Sequence, residues 1–133
     1  RILGIVSNNH GLYLLVPYQL AFAADEKLCK TAVEVCKKVN PDIHVTEGRV
    51  VSGDQFISSK EIKDALIAEF HPDCTEMEGA SIAQAAALNN IPYVVIRAIS
   101  DKADGSAQED YPTFEKKAAE HCAKLVQEMM KEL

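Results

Sequence analysis

Helical and strand-like patterns alternate along this chain, and that alternation constrains its fold more than any other feature. "ADEKLCKTAVEVCKKVN" sets Leu28, Ala32, Val33, Cys36 and Val39 at helical spacing, and Asn40-Pro41 stops the pattern. "IHVTEGRVVSGD", Ile43 to Asp54, reads as one strand, or two with a kink, ending at Gly53. "SSKEIKDALIAEF" opens on a capping box, Ser58 with Glu61, and sets Ile62, Leu66, Ile67 and Phe70 on one face. His71-Pro72 closes it. "CTEME" is a short strand that runs into the alanine-rich helix "GASIAQAAALNN". "IPYVVIRAIS" is the next strand, with Pro92 tolerated at its start. A polar loop spans Asp101 to Asp110. The last helix begins near Pro112, with Phe114, Ala118, Cys122, Leu125, Val126 and Met129 on one face.

Helix, strand, helix, strand, helix, strand, helix implies crossover connections and parallel pairing. The expected fold class is therefore α/β: three layers, with a mostly parallel or mixed sheet flanked by helices. No repeat or low-complexity linker divides the chain, and 133 residues suffice for one domain with its own core.

Composition removes several functions. The net charge of −6 argues against nucleic acid and against an anionic membrane surface, since both need a basic face. No apolar run approaches the ~20 residues of a membrane helix. Cys29, Cys36, Cys74 and Cys122 form no C-x-x-C pair and no zinc spacing, so they read as reduced core residues of a cytoplasmic protein. His10, His44, His71 and His121 are scattered, and no metal or cofactor is expected. "AFA", Ala21 to Ala23, has the look of a secretory cleavage site, but Asn8, Asn9, His10, Pro17 and Gln19 break the apolar stretch before it.

In open parallel sheets, ligands gather beyond the carboxyl ends of the strands. Three such ends carry polar residues here: Ser52, Gly53 and Asp54 with Phe56 and Ile57; Glu76, Met77 and Glu78; and Arg97, Ser100 and Asp101. Their convergence on one rim points to a site. Asp101 suits a turn, or a general acid if the rim desolvates it. Glu76 and Glu78 share one face if their strand continues, although Glu78 could instead cap the helix that starts at Gly79. Arg97 inside an apolar strand must find acceptors, with Asp54 or Glu76 as structural partners. Phe56 suits a core position as well as a ligand platform. No glycine-rich phosphate loop is present.

"VVSGDQFI", "CTEMEGASIAQAA" and "VVIRAISDKADG" closely resemble the bacterial 5'-methylthioadenosine/S-adenosylhomocysteine nucleosidases of the nucleoside phosphorylase/hydrolase superfamily. The likeness runs from Phe22 to Leu133. It implies a nucleoside phosphorylase-like fold and irreversible hydrolysis of the bond between adenine and a 5'-thio-substituted ribose. By that resemblance, Asp101 donates a proton to N7 of adenine and Ser100 orients it. Phe56 stacks on the purine, and the backbone of Ile57 reads its edge. Glu78 holds the ribose hydroxyls, Met77 packs on the sugar, and Arg97 lies near the sugar and the attacking water. Glu76 joins the substrate-binding set, and Tyr111 falls where the family has an aromatic over the 5'-thio group. The resemblance implies a small-molecule purine nucleoside as partner, no cofactor, and a homodimer.

"RILGIV" resembles a family first strand, but residues 1–21 are otherwise atypical, and the chain is shorter than a complete member. The expectation is a nucleosidase-like region over 22–133 in a chain truncated at its N-terminus. The family's water-activating glutamate is not assigned to any position of this sequence. A non-catalytic purine-binding remnant and a purine nucleoside phosphorylase are the alternatives.

Overall fold

In a computed structural model of the chain, the described residues are 3–6, 21–99 and 111–133, with side chains described over 21–99 and 114–133. Among the described residues, four strands form one mixed sheet in the order β2-β1-β3-β4. They are β1 (Leu3–Val6), β2 (Ala21–Ala23), β3 (Arg49–Ser52) and β4 (Cys74–Glu76). β2 pairs antiparallel to β1, whereas β3 runs parallel to both β1 and β4. The helices are α1 (Glu26–Val39), α2 (Lys60–Phe70), α3 (Gly79–Leu88) and α4 (Tyr111–Glu132).

α1 begins where the sequence supplies a cap. Asp25 is extended, and its carboxylate accepts the Leu28 N–H at 2.8 Å. Glu26 in the first turn and Lys37 and Lys38 in the last complement the helix dipole. The helix buries Cys29, Ala32, Val35 and Cys36. Ala32, Val35 and Cys36 meet Leu125 and Met129 of α4, and Val39, Val45, Val94 and Ile96 pack around this cluster. Burial of each large aliphatic side chain contributes about 1.5–3 kcal/mol, so this interface is the main apolar store of the fold. Asn40 ends α1, and its side-chain amide donates to the His121 carbonyl of α4 at 3.1 Å. Lys38 reaches Glu128 and Glu132 across the outside of the same pair.

α3 is built from small residues for a different reason. It buries Gly79, Ala80 and Ala83 and lies against β1, β2 and β3. The Ala80 N–H thereby reaches the Ser52 hydroxyl at 2.8 Å, a contact a bulkier helix face would prevent.

Three expectations need correction. The strand read over Ile43 to Asp54 shrinks to Arg49–Ser52, the four residues for which β1 offers register partners. "IPYVVIRAIS" is assigned no strand over residues 91–99, although Tyr93 accepts the Asp25 N–H at 2.9 Å. Its apolar alternation is used instead by Val94 and Ile96 packing on the α1–α4 cluster. Strand propensity reports fit to a half-buried surface, and packing on helices meets it as well as a ladder does. The capping box at Ser58 and Glu61 does not form: Ser59 is the capping residue and makes no side-chain cap. α2 also buries none of its residues, and Ile62 and Ile67 are each 42% exposed. Among the described residues, no helix is long and apolar enough to cross a membrane.

Candidate active site

Parallel pairing of β3 with β4 sets Ser52 opposite Glu76 at the carboxyl ends of both strands. The Ser52 hydroxyl donates to the Glu76 carboxylate. The chain then leaves the sheet: Gly53 N–H donates back to the Glu76 carbonyl at 3.1 Å, and α3 starts only three residues beyond Glu76. That abrupt turn brings the Glu78 and Gly79 N–H groups onto the same Glu76 carboxylate, at 3.1 and 2.7 Å. Arg97 completes the group, donating to Glu76 and, at 2.6 Å, to Glu78.

The two glutamates differ sharply in environment. The Glu76 side chain is 9% exposed and that of Glu78 62%, with Arg97 between them at 33%. Burial by itself pushes the Glu76 carboxyl up. The Ser52 hydroxyl, the two N–H groups and the Arg97 charge outweigh it and hold the carboxyl below its ordinary value. Arg97 moves the opposite way and is raised: burial opposes its charge, but both carboxylates favour it more. Burial is also the main cause that pushes the nearby Cys74 thiol up.

Beside this group lies a cavity of about 590 Å³, lined by Phe56, Ile57, Met77, Glu78 and Arg97 among others. The volume suits a small organic ligand. Phe56 is 75% exposed, so its ring is not a core residue but a free aromatic surface. Met77 adds a polarizable apolar wall. Glu78 keeps open acceptor positions for hydroxyl donors, and Arg97 supplies positive charge next to it. A second cavity of about 370 Å³ lies between α1 and α4, with Ala32, Val33, Phe114 and Cys122 in its wall. Residues 97–99 line both.

Of the residues singled out in the sequence, Phe56, Ile57, Glu76, Met77, Glu78 and Arg97 come together at this rim. Ser100 and Asp101 lie outside the described residues, as does the side chain of Tyr111, whose backbone opens α4. Glu76 and Glu78 do not share a face, because the strand ends at Glu76 and its alternation stops there. Glu78 occupies the capping position of α3 but makes no side-chain cap; Glu76 takes the Gly79 N–H instead. Sequence reasoning missed Ser52 as the link from β3 to Glu76 and α3. It found the helix α2 but not its place at the site, where Leu66 and Ile67 join the cavity wall. The periodicity did mark these two residues as one face of a helix.

An aromatic, a carboxylate and a guanidinium thus meet at one cavity beyond the ends of β3 and β4. The chain belongs to the Phosphorylase superfamily, whose sequence profile matches residues 6–131. It is 37% identical over 125 residues to an aminodeoxyfutalosine nucleosidase of Helicobacter pylori, covering 94% of this chain and 53% of that protein. It is 40% identical to a 5'-methylthioadenosine/S-adenosylhomocysteine nucleosidase of Haemophilus influenzae, covering 85% and 49%. A solved Helicobacter pylori MTAN mutant with 5'-methylthioadenosine in the active site superposes with a TM-score of 0.79 at 30% identity, over 99% of this chain and 60% of that one. The chain thus spans about half the length of the curated relatives it matches.

Proposed function

We propose that this chain serves the hydrolysis of the N-glycosidic bond of 5'-methylthioadenosine and S-adenosylhomocysteine, releasing adenine and the 5'-thio-ribose. The observation that carries the reading is the opening of Phe56, Met77, Glu78 and Arg97 into one cavity at the ends of β3 and β4. A purine face stacks on Phe56, and the Ile57 backbone meets its edge. The Glu78 carboxylate accepts from the ribose hydroxyls, with Met77 against the sugar. As the bond between C1' and the purine nitrogen breaks, positive charge grows on the sugar, and the Glu78 carboxylate stabilises it. The bonding electron pair leaves with adenine, which takes a proton on N7 from Asp101, oriented by Ser100. Water adds its hydroxyl to C1' and releases its other proton to the surrounding water, from which Asp101 regains the one it gave. Arg97 lies by the sugar and that water, and Tyr111 covers the 5' substituent. The same reading carries a homodimer in the cytoplasm.

A second substrate reading rests on the first relative named above, an aminodeoxyfutalosine nucleosidase matched over 94% of this chain. Both substrates ask the cavity for the same purine and ribose contacts and differ in the 5' group. The test is adenine release from 5'-methylthioadenosine, S-adenosylhomocysteine and aminodeoxyfutalosine, each with and without phosphate. The reading predicts phosphate-independent release that falls about 10²- to 10⁴-fold in Asp101→Asn, the range of a lost general acid. Release that requires phosphate makes the chain a phosphorylase. Stabilisation by nucleoside without release makes it a purine-binding module.

A further inference from the structure

Glu76 lies within the site, yet the geometry leaves it little to offer a ligand. A carboxylate has about four lone-pair positions. One Glu76 oxygen accepts from the Ser52 hydroxyl. The other accepts from Glu78 N–H, Gly79 N–H and Arg97. These four donors leave one lone-pair position, on the oxygen that Ser52 uses, and the side chain around it is only 9% exposed. Ser52 is equally committed, donating to Glu76 and accepting from Ala80 N–H while only 5% exposed. Gly79 permits this arrangement: a Cβ there would stand 2.9 Å from a Glu76 carboxylate oxygen.

We propose that Glu76 is a positioning residue that does not touch the nucleoside, and that the Ser52–Glu76 pair fixes the Arg97 guanidinium so that it meets Glu78 at the cavity wall. The role rests on the nucleosidase reading, but the geometry behind it does not. Without that anchor, Arg97 would keep, among the described residues, the largely exposed Glu78 as partner, and exposed ion pairs hold geometry weakly. With Glu76 buried and locked to β3 and α3, one end of the guanidinium is fixed to the sheet, and Glu78 is left free at its outer oxygen. Two carboxylates around one guanidinium also leave the wall net negative, which suits a sugar that gains positive charge.

The test reads Arg97 directly. Its guanidinium N–H groups, assigned in ¹⁵N-edited spectra by their loss in Arg97→Lys, exchange slowly with solvent in the wild-type chain. In Glu76→Gln they exchange at least about tenfold faster, as expected for loss of a charge-assisted hydrogen bond. Ser52→Ala, which keeps the carboxylate but removes its hydroxyl donor and the acceptor of Ala80 N–H, shows the same change to a smaller degree and serves if Glu76→Gln fails to fold. Glu78→Gln leaves most of the protection in place. In turnover of 5'-methylthioadenosine, Glu76→Gln and Ser52→Ala lose kcat with KM nearly constant. Unchanged exchange in both variants, or protection lost only in Glu78→Gln, overturns the proposal. A loss confined to KM overturns it too, since Glu76 would then be a substrate contact. Slow, Glu76-dependent exchange in a wild-type chain that releases no adenine overturns the nucleosidase reading and leaves the anchoring intact.

Discussion

Arg97 Nη2 stands 2.6 Å from Glu78 Oε2, pairing a partly exposed guanidinium with a carboxylate that is 62% exposed. Only part of the Glu78 carboxylate is occupied, so it remains able to accept two hydroxyls. Glu78→Gln should therefore weaken nucleoside binding by about 10- to 100-fold, the value of a hydrogen bond to a charged group. The melting temperature should barely move, because an exposed pair contributes little to stability. Calorimetric titration beside thermal unfolding checks both halves.

Acid should loosen the same rim from its buried side. The Glu76 carboxyl is held below its ordinary value of 4.5, so below that pH the unfolded chain takes up the proton first. Stability from this group is complete above about pH 4.5 and is lost as pH falls toward the lowered folded value. Melting temperature followed from pH 6 to 3 should decline, and Glu76→Gln should flatten that part of the decline.

The α1–α4 interface should dominate global stability. Leu125 is 5% exposed and packs in the cluster with Val35 and Met129. Leu125→Ala removes that packing and leaves a void, at a cost of about 2–5 kcal/mol. Denaturant unfolding measures it. Ile82→Ala on α3, where the side chain is 54% exposed, should cost far less in the same experiment.

Asp25 ties two parts of the chain together. Its carboxylate caps α1, while its own N–H donates to Tyr93 just before the segment that carries Arg97. Asp25→Ala should cost about 1 kcal/mol through the lost cap. Asp25→Ser, which keeps an acceptor, should recover most of it in the same unfolding measurement.

Much of this was legible in the sequence because it follows from local patterns. Helical spacing marked α1 and α4, Asn40-Pro41 and His71-Pro72 marked stops, and the rim residues announced themselves as polar groups after apolar runs. "IPYVVIRAIS" reads as a strand, yet residues 91–99 form none, because apolar alternation is the same whether it packs on helices or joins a ladder; pairing is a non-local fact. The role of Glu76 was hidden for a related reason. Two glutamates two residues apart look equivalent until the chain turns between them, and that turn depends on Ser52, 24 residues earlier.

The central claim is that the rim cavity beside Phe56 and Glu78 receives a purine nucleoside. Titrating ¹⁵N-labelled chain with 5'-methylthioadenosine and mapping the shifted resonances tests it most directly and needs no turnover. The account predicts saturable shifts concentrated at Phe56, Ile57, Met77, Glu78 and Arg97. Shifts centred instead on Val33, Phe114 and Cys122 between α1 and α4, or no saturable shift at all, would contradict it.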